Sequence, residues 1–233
     1  MAIVIGSRVL DATGGAVSDI TGYRVHTFTS SGNFVPSTSG SVEVLVVGGG
    51  GGSNTGTIGG GASGGSVLQS KFVDILGGQP YSITVGTGGA QGSPGNNSTA
   101  FGYTAQGGRV GKDIGNGVDN PLGTGGGAGE GGTGGSGNNT IGVGFSGGNG
   151  GSSTAGGGGG AGSAGSNGTG VGNGIGGQGI QSIINGSPSY YGGGAGGGNS
   201  GAYHPTSSPS NKGLGSNSTD PGEPGIVIVR YIR

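Results

Sequence analysis

Apolar and polar positions alternate in short stretches that gather toward the two ends of this chain. Tyr23-Arg24-Val25-His26-Thr27-Phe28-Thr29 alternates and is rich in β-branched and aromatic residues, which predicts a strand, and Gly32-Asn33 predicts a turn after it. Ser41-Val42-Glu43-Val44-Leu45-Val46-Val47 predicts a second, more buried strand that runs straight into glycines. Val67 to Leu76 and Tyr81 to Val85 predict a hairpin around Gly77-Gly78-Gln79-Pro80. The closing stretch from Gly225 to Ile232 is apolar at successive positions, as expected of a central strand covered on both faces. No window carries a 3.6-residue period, and glycine costs a helix roughly 1 kcal/mol per residue, so no α-helix is expected.

Between Gly86 and Gly222 the period is three. Gly123, Gly126, Gly129, Gly132 and Gly135 share one register, and from Gly147 to Gly168 one register is glycine throughout except Ser153. Polyproline II geometry repeats every three residues with a rise of about 3.1 Å and makes no internal hydrogen bonds. Bare chains of that form can lie close enough to exchange main-chain hydrogen bonds and Cα–H···O contacts. The fold class expected is all-β plus polyproline/polyglycine II. Short strands near both termini would flank a packed bundle of glycine-rich polyproline II helices. The corresponding divisions are an attachment segment at 1–22, a strand region with the first glycine run at 23–85, a glycine-rich bundle at 86–224 and a closing strand at 225–233.

Composition sharpens this picture. Glycine supplies 72 of 233 residues, and 28% are apolar, too few for a side-chain core throughout. Nine prolines without period exclude a collagen helix. Disorder usually accompanies high net charge, whereas the net charge here is −1 and no Asp, Glu, Lys or Arg lies between Gly131 and Asn211. Near-neutral charge argues against a nucleic-acid partner. No stretch reaches the ~18 apolar residues of a membrane-spanning helix. With no cysteine, thiolate metal sites are excluded.

Chemistry-bearing residues are sparse. His26 and His204 lie far apart, with His26 expected at a surface or interface, and no local signature joins a histidine to a nucleophile and an acid. Lys112 sits in the one place where a phosphate-loop motif could occur, but Asp113 follows it and Gln106 stands where the first glycine belongs. No catalytic residue, metal ligand or cofactor is expected. The informative segments are the inserts where glycine thins: 109–122, 138–145, 180–191 and 203–224. Among them Asn185, Tyr190, Tyr191, Tyr203, His204, Lys212, Asp113 and Asp119 are the candidates for contact with a receptor. Aromatic anchors among Asn, Ser and Gly match the chemistry of adaptable binding loops held on a stiff scaffold. A capping role for Tyr190-Tyr191 and Ile183-Ile184 over the end of the glycine bundle is the competing expectation.

The run from Tyr23 to Phe34, then Val42-Glu43-Val44-Leu45-Val46-Val47 with Gly48 to Gly52, resembles the glycine-rich domain of bacteriophage tail-fibre proteins. Tyr81-Ser82-Ile83-Thr84-Val85-Gly86 and the closing Gly222 to Tyr231 extend the resemblance to about residues 21–233. It implies a polyglycine II sandwich whose end loops meet a host outer-surface receptor, protein or glycan, on a virion. A carrier tail-fibre protein would then be a partner, with Ile3, Val4 and Ile5 available to pair with one of its strands. A structural or decoration role in the virion is the alternative, and ice binding a more distant one.

Overall fold

The computed structural model describes residues 10–54, 56, 59–140, 142–170, 172–198, 212–216 and 220–233. Among them there is no helix, and all strand pairings are antiparallel. The strands are β1 (Ala12–Thr13), β2 (Ala16–Ile20), β3 (Tyr23–Phe28), β4 (Gly32–Pro36), β5 (Gly40–Val47) and β6 (Val67–Ile75). They continue with β7 (Tyr81–Ile83), β8 (Ser98–Ala100), β9 (Tyr103–Ala105), β10 (Ile180–Ser182), β11 (Ser189–Tyr191) and β12 (Ile226–Ile232).

The principal sheet has the order β2-β3-β12-β5-β6. Its middle strand, β12, is apolar on both faces because both faces are covered. Val227, Val229 and Tyr231 point into one core with Phe28, Val42, Val44 and Val46. Ile226 and Ile228 point into the other with Val25, Leu45, Val47 and Val67. A second layer, β1-β4-β7 with β8-β9 joined through a Thr84–Thr99 bridge, closes the first core with Phe34, Ile83, Ala100 and Ala105.

Two strand-level expectations change. Gly32-Asn33 opens β4 rather than a turn, since Phe34 is fully buried and Asn33 pairs with Ser82. The stretches 67–75 and 81–83 do not form a hairpin. β6 returns beside β5, β7 pairs with β4, and the Gly77-Gly78 segment crosses between layers. Within the stretch 1–22, β1 pairs with β4 and β2 with β3, while Ile3, Val4 and Ile5 lie outside the described residues.

His26, expected at a surface, is fully buried. Alternation turns His26 and Phe28 to the same face of β3, where Gly14, Phe34 and Tyr231 enclose the imidazole. Its Nδ1 lies 2.7 Å from the Gly14 carbonyl and its Nε2 3.1 Å from the Tyr231 hydroxyl. Phe34 packs edge-on to the ring and Tyr231 stacks on it. Burial pushes its pKa down, only partly countered by the bond to Gly14.

The glycine-rich remainder carries few strands and is ordered by main-chain hydrogen bonds between runs. In residues 60–66, Gly60, Ser63 and Ser66 donate to the carbonyls of Lys112, Arg109 and Gln106. Gly61 and Gly64 donate to Gly156 and Gly159, while Ala62 and Gly65 donate to Ser216 and Gly213. The partner run thus recurs every third residue. Carbonyls of the same run accept from Gly48 and Gly51, from Gly127 and from Ala195. Residues 156–161 behave alike: Gly156 and Gly159 donate to Ala128 and Gly125, Gly157 and Gly160 to Ser166 and Ser163, Gly158 and Ala161 to Ala195 and Gly192. At the glycine positions of these runs there is no room for a side chain. A Cβ on Gly50 would fall on the carbonyl oxygen of Leu214, and one on Gly158 on that of Ala62.

Candidate functional site

The runs leave the sheet and return to it, so their turns divide between two ends. Residues 48–54 run away from β5, and residues 60–66 come back to β6. Because Gly60 bonds to Lys112 and Ser66 to Gln106, residues 106–112 run outward again. Following such bonds along the chain places Asn54, Gly56, Gly59, Gly60, 91–93, 113–115, 130–131, 151–153, Thr169, Gly170 and Gly172 at the end remote from the sheet. The segments 120–123, 138–140, 142–144 and 180–191 lie at the sheet end, where Val67 donates to Gly142 and Gly123 to Asn120.

Amides along the outer edge, which lack a further run to bond, are met by side chains. Asn116, Asp119, Asn149, Asn167 and Asn173 place Oδ1 2.7–2.9 Å from the amides of Thr133, Ser136, Gly134, Asn149 and Ala155. Ser163 and Ser166 receive the amides of Gln178 and Ile175 in the same way. Short polar side chains stand in for the missing carbonyls.

The insert 180–191 is the hairpin β10–β11, with Gln181 opposite Tyr190. It folds down onto the sheet: Ile184 and Tyr191 are buried in the second core, and a Cβ on Gly186 would stand 3.0 Å from Ile20. Burial raises the Tyr191 pKa. Tyr191 is therefore a packing residue rather than an exposed anchor, because the hairpin's apolar side is the lid of the core. Tyr190 is half-buried. Asn185 spends its side chain within the loop, donating to the Ser189 hydroxyl at 3.2 Å and accepting from the Ser187 amide at 3.2 Å. Arg230 ties the loop to the sheet: it donates to the Ile183 carbonyl at 3.1 Å, pairs with Glu43 and lies 4.6 Å from the centre of the Tyr23 ring.

The other candidates are not gathered there. Lys212 pairs with Glu223 at 3.4 Å near the sheet end. Asp119 is exposed and accepts from Ser136, as above, while Asp113 accepts the Gly56 amide at 2.7 Å at the remote end. Tyr203 and His204 lie outside the described residues. No group of three or more potential metal ligands occurs among the described residues.

One feature of the remote end is absent from the expected contact residues. Ile114 is 81% exposed and forms a parallel bridge with Glu130. Beside it, Lys112 and Asp113 line a groove of about 270 Å³ with Asn54, Gly92, Val110 and Gly111. The signal available in the sequence was the parity of turns: a run that leaves a strand makes its first turn at the far end and its second at the near end.

The family described as a glycine-rich domain matches residues 29–232. No curated protein matches the chain.

Proposed function

This chain belongs to the glycine-rich domain family, and from that premise we propose that it is an adhesin of a bacteriophage tail fibre, binding a host surface receptor through turns held on a glycine scaffold. The scaffold is a polyglycine II-type bundle. The observation that carries this is the recurrence of hydrogen-bond partners at every third residue through buried runs such as 60–66 and 156–161, as a threefold helix requires. A core made of main chain leaves side-chain variety to the turns, and a rigid frame lets a turn bind without a large ordering cost. Affinity would come from several copies on one particle, each contact being small.

The test is direct. Fluorescently labelled protein is applied to a panel of bacterial strains, and antibody against it is used to locate it on phage particles by electron microscopy. Staining of at least one strain together with antibody at fibre ends supports the adhesin. Antibody on capsid or baseplate with no staining of any strain would replace it with a structural role in the virion.

A further inference from the structure

We infer that the contact surface is the end of the glycine array remote from the sheet, centred on Ile114 with Lys112 and Glu130, and that it fits a protein loop bearing an apolar side chain between a carboxylate and a cation. This rests on the adhesin reading and names its site and partner.

The two ends of the array differ in what they leave unspent. At the sheet end, Ile184 and Tyr191 are consumed by the core and Asn185 bonds within its own loop; Ile183 and Leu122 are exposed there too, but Asp119, three residues before Leu122, is engaged by the Ser136 amide. Arg230 is engaged by Glu43 and by the loop carbonyls. At the remote end, Ile114 is 81% exposed, and neither Lys112 nor Glu130 is ion-paired among the described residues. The bridge between Ile114 and Glu130 sets those residues side by side on neighbouring runs, with Lys112 two residues away along the chain. Fixed in place by the Gly60–Lys112 and Lys112–Gly127 main-chain bonds, the cluster is pre-ordered.

An exposed apolar side chain with a lysine and a glutamate beside it that no salt bridge engages matches an interface centre with a polar rim. A polyol ligand would gain little from Ile114. Sugar sites typically use an aromatic face, and the described aromatic residues belong to the sheet half and its bordering runs: the buried Phe34, Tyr191 and Tyr231, for example, lie in the two sheet cores. A protein loop uses all three groups at once, matching a carboxylate to Lys112 and a cation to Glu130.

The experiment measures staining of a panel of intact bacterial strains by the full chain, before and after shaving the cells with protease, using wild type, Ile114→Asp, Lys112→Glu, Glu130→Lys and Tyr190→Ala. Circular dichroism and melting temperature confirm that each variant folds. The expected result is staining that disappears on shaving, falls at least about tenfold with Ile114→Asp, falls less with either charge reversal, and is unchanged by Tyr190→Ala. Staining that survives protease, or that ignores Ile114→Asp, overturns the assignment of this surface while leaving the adhesin intact. Absence of staining on every strain overturns both.

Discussion

The half of this molecule built on the five-stranded sheet and the half built on glycine runs are held together by different groups. In the sheet half, side chains meet: Phe34, Leu45, Val227 and Ile228 are wholly buried, and each such burial contributes about 1.5–3 kcal/mol. In the glycine half, main chains meet. Each hydrogen bond there contributes a net ~0.5–1.5 kcal/mol, against glycine's larger loss of freedom on ordering. No single contact can hold such a run. It is stabilised because each one serves several neighbours at once, as residues 60–66 do. The tolerance of the two halves therefore differs in kind: the sheet half resists loss of atoms poorly, and the glycine half resists gain of atoms poorly.

The sharpest way to break that contrast is to add carbon where none fits. Gly158→Val should cost about 4 kcal/mol or more, since its Cβ would meet the Ala62 carbonyl, and amide exchange should then rise across residues 60–66 and 156–161. In the wild type those amides should exchange as slowly as those of β12. Exchange at the rate of an unstructured peptide would remove the main-chain core altogether. Next in size, Leu45→Ala in the sheet half should cost about 3 kcal/mol, read from a chemical denaturation midpoint. Were Gly158→Val the milder of the two, the comparison would fail.

Smaller effects probe the edges. Asn149→Ala removes the acceptor for the Gly134 amide and should cost ~1 kcal/mol, while Asn149→Asp, which keeps an acceptor oxygen, should cost less. The smallest is a pH effect confined to the sheet half. Burial favours neutral His26, so the folded state binds fewer protons than the unfolded one below pH 6.5, the ordinary value of this group. Stability is then full above pH 6.5 and declines as pH falls toward the lowered native value. His26→Phe should flatten that part of the profile, as followed by melting temperature.

Much of the strand framework was legible before any coordinates. Two-residue alternation announced β3, a more continuously apolar run announced β5, and the doubly apolar stretch announced β12 as a central strand. Other features escaped. β6 and β7 carried a turn signal between them yet joined different layers, because a Gly-Gly turn fits a crossover as well as a hairpin. Tyr191 had the composition of a binding anchor and became a core residue. Ile114, within the insert 109–122 but not among the expected contact residues, stands 81% exposed at the remote end.

Local alternation and the glycine register are properties of neighbouring residues, and the chain determines them unaided. The partner of each run is another matter. One bare main chain offers the same donors and acceptors as the next, so nothing in a glycine run encodes its neighbour. That choice, and with it which turns face the sheet and which face outward, is made only when every run is packed against the rest.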